Sequence, residues 1–344
     1  MTETIEQGDV NGIPVESPPG SVKSFAFAAS DLIARRREAS IAFVAVVLFV
    51  YFAASTPAFM GVDNMRVISQ YTASVAILAI AEAMLLISGE IDLSLGHIAA
   101  MTPFLMYFGT EAGLPLPVAV VLALLGAGVV GLVNGLMTVV SGVPSFITTL
   151  GMLFLLHGFT LTISDGFPKK APADGIADIL GGARFAGFIW AVVFMVIVHV
   201  VLVSTRWGIY TVATGGNPTG AREAGIQVKR IKVGNFVLAA MLAGFIGISE
   251  AIRVTSIDPL SHGSQLMFLG VAAAVIGGTA LAGGTGTVIG AFLGAVVLGV
   301  LRDGLTIKGI SAFTFNMILG IFIIASMFLN AAANNLRIRM RKFA

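Results

Sequence analysis

A series of long apolar runs dictates what this chain can fold into. They lie at residues 40–57, 69–88, 93–110, 116–140, 144–163, 186–204, 233–253, 265–282, 286–303 and 311–330. Each comes close to the ~20 predominantly apolar residues that a helix needs to cross the hydrocarbon core of a bilayer. Lipid offers no water to satisfy peptide groups, so such runs are helices that close their own hydrogen bonds. The expected fold is all-α and polytopic, one domain of about ten transmembrane helices. Composition agrees: 11% of residues are charged and 57% are hydrophobic, against about 25% charged in soluble domains. The runs that meet near 88–93 and 277–286 are either separate crossings or parts of broken helices. Lipid tolerates the latter only where protein buries the freed backbone groups.

Ten crossings put both ends of the chain on one side, and the basic residues then sort by side. One side receives Lys23, Arg35, Arg36 and Arg37, then Arg206, Arg222, Lys229, Arg230 and Lys232, then Arg337, Arg339, Arg341 and Lys342. The other receives Arg66, Lys169, Lys170, Arg184, Arg253, Arg302 and Lys308. The positive-inside bias places both termini and the 205–232 loop in the cytoplasm, and the 164–185 loop outside. The expected organisation is a disordered cytoplasmic tail over 1–38, a transmembrane domain over 39–332 and a basic cytoplasmic C-terminus over 333–344. The tail is polar and rich in Gly, Pro and Ser, without the basic start and early apolar core of a signal peptide. The run beginning at Ile41 is therefore read as an uncleaved anchor.

Several function classes are excluded or left without support. The net charge of +2 forms no basic face for nucleic acid. There are no cysteines, hence no disulfide, thiolate metal site or cysteine nucleophile. Gly278 and Gly283 have the glycine spacing of a phosphate-binding loop, but Gly284 stands where the lysine belongs. No Gly-x-Ser-x-Gly or His-Glu-x-x-His motif occurs, and His97, His157, His199 and His262 lie in separate segments. No catalytic residue and no metal ligand set is assigned.

Three segments stand out from the apolar background. SGEIDLSLGH, 88–97, places Glu90, Asp92 and His97 between two apolar runs. A glycosidase-like acid pair, an ion site and a turn are the alternatives. The turn carries most weight, with Ser88-Gly89 ending one helix and Asp92 capping the next near its positive end; a part in a gate is compatible with it. In IGGTALAGGTGTVIGAFLGAVVLG, 276–299, Gly286, Gly290 and Gly294 form a stripe for close helix packing, and the Gly277-Gly278 and Gly283-Gly284 pairs mark an unwound segment. In GGNPTGAREAGI, 215–226, Asn217-Pro218 opens a helix of about two turns that Gly225 stops. That helix either lies on anionic lipid or docks a partner. Asn134, Ser145, Thr148, Thr149 and Asn316 are polar positions in or beside apolar helices, serving a pathway or interhelical hydrogen bonds. Glu82 is a further carboxylate inside an apolar run.

Four stretches together resemble the ribose/xylose/galactose-type sugar permeases, the membrane subunits of bacterial ABC importers. They are GEIDLSLG (89–96), GLVNGLMTVVSGVPSFITTLGM (131–152), ATGGNPTGAREAGIQV (213–228) and IGGTALAGGTGTVIGAFLGA (276–295). Their order and spacing cover about 65–330. The family usually has Gly or another small residue where Glu90 stands. The resemblance implies a type II ABC importer permease fold and a second permease copy. It implies an ATPase subunit inside that binds the ATP and Mg, this chain holding no cofactor, and a sugar-binding protein outside. It also implies that Gly215, Gly216, Asn217, Pro218, Ala221, Arg222, Gly225 and Ile226 form the ATPase-coupling loop. The expected function is passage of a monosaccharide or related polyol across a bacterial plasma membrane, with Glu90, Asp92, Ser94, Asn134, Ser145, Thr148, Thr149 and Asn316 as candidate pathway or gate residues. The alternatives are an ion-coupled secondary transporter, favoured by Glu82, Glu90 and Asp92, or an ABC permease for a branched-chain amino acid, nucleoside or signalling furanone.

Overall fold

The computed structural model describes residues 37–325 apart from 174, 312 and 322. The expected tail (but for 37 and 38) and the basic C-terminus lie outside the described residues. The elements are α1 (Arg37–Ser55), α2 (Val62–Ile87), α3 (Leu95–Glu111), α4 (Leu116–Ser141), α5 (Ser145–Ser164), β1 (Lys169–Lys170), α6 (Ala186–Ser204), α7 (Arg206–Gly216), α8 (Pro218–Glu223), α9 (Val228–Val254), β2 (Ser256–Ile257), α10 (Gly263–Ile276) and α11 (Val288–Ile307). A short apolar helix α12 follows at Phe313–Ala325.

Every apolar run forms a helix, but the expected count of ten full crossings is not reproduced. Among the described residues, 7 helices are long and apolar enough to span a membrane: α1, α2, α4, α5, α6, α9 and α11. The third and eighth runs give shorter helices, α3 of 17 residues and α10 of 14, and the tenth reaches the edge of the described residues as α12. The physical reason is the two breaks, over 88–94 and 277–287, which take residues out of α3 and α10. The chain is an all-α, multi-pass membrane protein; the one sheet among the described residues is the two-residue pairing of β1 with β2.

Helix α2 is the core. Every residue from Thr72 to Ser88 is buried, as expected of a helix that is apolar on all sides. Helices α9, α10, α11 and α6 pack around it. Outer helices keep large apolar side chains exposed, among them Val121 and Leu125 on α4 and Phe154 and Leu155 on α5. Such faces suit lipid or a second copy rather than water.

Glycine sets how closely the helices approach. A Cβ at Gly247 of α9 would collide with the Ala99 carbonyl of α3, and one at Gly131 of α4 would lie 2.5 Å from the Phe236 carbonyl of α9. The expected Gly286–Gly290–Gly294 stripe needs correction. Helix α11 starts at Val288, so Gly286 precedes it and sits against Thr279 and Ile87, while Gly290 and Gly294 meet the Gly277 and Ala273 carbonyls. The unwinding at 277–287 takes Gly286 off the helical face.

Connections gather at two ends. At one, β1 pairs with β2, Arg184 lies 3.8 Å from Asp63 and Asn64 donates to Asp303 at 2.8 Å. At the other meet 88–94, the α7–α8 segment and 277–287. Replacing Gly247 with Val should force α3 from α9 and cost about 1–3 kcal/mol. Gly151→Ala in α5, where nothing lies within 4 Å of the added carbon, should be neutral or stabilising. Thermal stability of the detergent-solubilised chain checks both.

Candidate functional site

Helix α8 is built to be small and complete. Asn217 closes α7, its N–H donating to the Ala213 carbonyl at 3.0 Å. It also opens α8, its Oδ1 accepting the Gly220 N–H at 2.9 Å. Pro218 at the first helical position loses no hydrogen bond there. At the far end Gly225 has φ +83°, and the Ile226 and Gly225 N–H groups donate to the Ala221 and Arg222 carbonyls at 2.9 and 3.0 Å. That double closure needs glycine at its left-handed position. Ala221 faces inward, whereas Arg222, Glu223, Lys229 and Arg230 are exposed.

Two features of this loop differ from expectation. Residues 206–216 form a helix, α7, where a loop was expected. Helix α9 begins at Val228 rather than 233, so Lys229, Arg230 and Lys232 ride its first two turns. Gly215 and Gly216 end α7 and do not belong to α8.

Behind α8 three of the singled-out stretches meet backbone to backbone. Helix α2 ends at Gly89 (φ +82°), with Gly89 and Glu90 N–H donating to the Leu86 and Leu85 carbonyls at 2.9 and 3.0 Å. The free Ile87 carbonyl accepts the Gly284 N–H at 2.9 Å. A Cβ on Gly215 would strike that same Ile87 carbonyl and lie 2.7 Å from Gly284 N. Gly283 is likewise pressed between Gly89 and Gly215. The end of α7, which leads into α8, is thus seated on both helix breaks.

The fourth stretch supports the first. Ser145 and Thr149 of α5 accept the Ile91 and Leu93 N–H groups at 3.2 and 3.1 Å, satisfying donors that the break sets free. Asp92 Oδ1 accepts the Ser94 N–H at 2.8 Å and hydroxyl at 2.6 Å, and its Oδ2 accepts Asn134 Nδ2 at 3.0 Å. Asn134 also donates to Ser94 Oγ at 2.9 Å, and the Thr138 and Thr148 hydroxyls lie 3.0 Å apart. Asp92 therefore fastens Ser94, the residue at the N-cap of α3, rather than capping the first helical N–H groups itself. Glu90 pairs with Lys232 of α9. A cavity of about 300 Å³ opens here beside α8, lined by Glu90, Thr138, Ser145, Pro218, Arg222 and Lys232 among others.

Of the candidate pathway residues, Glu90, Asp92, Ser94, Asn134, Ser145, Thr148 and Thr149 come together at this junction. Asn316 does not; it lines a cavity toward the other end of the bundle. Sequence reasoning missed Lys232 as the partner of Glu90, although a basic residue beginning an apolar run was visible. It also missed that Ser145 and Thr149 serve backbone groups. Among the described residues no three His, Cys, Asp or Glu side chains group as a metal site.

Residues 64–327 match a family described as "Branched-chain amino acid transport system / permease component". The chain belongs to this permease family. The permease is 38% identical to the xylose/arabinose import permease of Sulfolobus acidocaldarius, over 91% of this chain and 90% of that one. It is 34% identical to the ribose import permease of Escherichia coli K12, over 78% and 85%, and 29% identical to the autoinducer 2 import permease of Photorhabdus luminescens, over 86% and 89%. No solved structure matches it. The permease is the membrane-spanning component of an ABC-type importer, a multi-pass protein of the plasma membrane.

The Glu90–Lys232 pair has Glu90 buried and Lys232 largely so, with side-chain exposures of 8% and 19%. Glu90→Gln or Lys232→Gln alone leaves one buried charge without its partner. The double variant removes both. A double-mutant cycle on thermal stability should show a coupling of about 1–3 kcal/mol, and the double variant should be more stable than either single variant.

Proposed function

We propose that this permease forms half of a translocation path for a monosaccharide or related polyol, moved by alternating access and driven by a partner ATPase that grips α8. One observation carries the reading: an exposed helix, closed at both ends, whose anchor at Gly215 presses on both helix breaks. A push on α8 would reach the ends of α2, α10 and α11 through backbone contact with little slack. In this reading the α8 end faces the cytoplasm, as do both termini, and ten traverses are made, three on the shorter helices α3, α10 and α12. Gly215, Gly216, Asn217, Pro218, Ala221, Arg222, Gly225 and Ile226 couple to the ATPase, which supplies the ATP and Mg site. A second permease copy and an external sugar-binding protein complete the importer. The sugar assignment leans on the xylose/arabinose and ribose permeases above.

The ion-coupled alternative is weaker. Glu90 has Lys232 as counter-charge and Asp92 has three donors, which leaves Glu82 alone among the three carboxylates that favoured it.

Arg222→Glu, or removal of 217–226, should abolish co-purification of the ATPase subunit while the permease still inserts in the membrane. Retained co-purification with undiminished uptake would remove the docking role. Solute uptake by the permease alone, in liposomes under an ion gradient, would remove the ATP-driven reading.

A further inference from the structure

At the end of the bundle opposite α8 lies a second polar cavity, of about 550 Å³, within the ~300–1,000 Å³ of small-molecule sites. We propose that it is a holding site for an uncharged, polyhydroxylated solute. The inference rests on the permease reading above and adds to it a place and a lining.

The walls come from five helices: the first half of α2, the end of α9, the start of α10, the end of α11 and the start of α12. Its charges cancel. Arg253 donates through Nε and Nη2 to Glu250 Oε2 at 3.1 and 2.6 Å, and Glu250 Oε1 accepts the Ser74 hydroxyl at 2.8 Å. The Arg302 guanidinium stands 4.1 Å over the Tyr71 ring. Beside it Asp303 accepts Asn64 Nδ2 at 2.8 Å. Two cations face two carboxylates. With equal numbers of each sign on its wall, the cavity carries no net charge to favour an ion over a neutral guest.

A hydroxylated solute meets what it needs. The Gln265 and Asn316 amides are exposed to the cavity and make no hydrogen bond among the described residues. Each amide offers donors and an acceptor, matching a hydroxyl group, which is both. Polar groups gathered in a membrane-embedded wall are costly unless water or solute satisfies them. The position suits transport as well. Helices α10 and α11 form two walls here, and the segment joining them, 277–287, presses on Gly215. Movement of α8 would therefore reshape this cavity from its far end.

The permease has no cysteine, so Gln265→Cys and Asn316→Cys each introduce a unique thiol. In the complete importer reconstituted in vesicles, uptake of D-xylose, D-ribose, D-galactose and leucine is measured first. Each thiol is then titrated with a membrane-impermeant cationic methanethiosulfonate, with and without the solute found to be transported. Both thiols should react from the face opposite α8. The transported sugar should slow them about tenfold at about ten times its dissociation constant, since protection scales as 1 + [L]/Kd. Gly113→Cys, in the α3–α4 connection with nothing within 4 Å, should react at a rate the sugar leaves unchanged. Unprotected thiols at 265 and 316, or equal protection at 113, in an importer that carries a sugar would overturn the site and leave the proposed function standing. Uptake of leucine with none of the sugars would overturn the sugar reading and this site with it.

Discussion

An interrupted helix inside a membrane must find partners for its freed peptide groups, and the rest of this structure depends on how that is done. The break after α2 is satisfied by its own reversed turn at Gly89, by the Ser145 and Thr149 hydroxyls, and by the Gly284 N–H on the Ile87 carbonyl. The break after α10 is closed by the Thr279 N–H on Ala274 O and the Ala280 N–H on Thr285 O, at 3.0 and 2.9 Å. These bonds hold the inner part of each break, while Gly89, Leu281, Ala282 and Thr285 stay exposed at that end of the bundle. Because one break donates to the other, they are a single unit, and α7 is packed on that unit through glycine contacts.

Much of this was legible in the sequence, for identifiable reasons. Apolar runs locate the helices because lipid leaves the backbone no alternative. Asn217-Pro218 and Gly225 mark α8 because each residue type performs a specific task at a helix end. What failed did so where spacing along the chain does not specify contact in space. The start of α9 was placed late because Lys229, Arg230 and Lys232 read as loop, although a helix leaving the membrane keeps its hydrogen bonds while its side chains change character. Gly286 was assigned to a stripe by period alone, and the unwinding before Val288 moved it off. The polar cavity was invisible because its walls join residues far apart in sequence, such as Ser74 and Glu250. Of its polar lining only Asn316 stands out in the sequence as a candidate pathway residue.

Glu90 shows how a carboxylate is accommodated at a buried turn. A carboxylate added alone at this buried turn would be an uncompensated charge, costing several kcal/mol. Lys232 supplies the counter-charge from α9, an element that begins only five residues after α8 ends. The pair therefore ties the first break to the strand of chain leaving the proposed coupling helix, a link that the glycine contacts do not make.

The two ends of the bundle handle charge in opposite ways. Around α8, Arg222, Lys229 and Arg230 are left exposed, unpaired by any salt bridge among the described residues. At the other end Arg253 is neutralised within its own cavity and Arg302 is placed on an aromatic face. Exposed like charges favour a protein or surface of opposite sign and strengthen with approach. A cavity with as many cations as carboxylates does the reverse: it carries no net charge and leaves amides such as Gln265 and Asn316 to meet a neutral guest. In the proposed importer this division sets exposed charge where the ATPase would grip and a cavity of balanced charge where the solute would first be received.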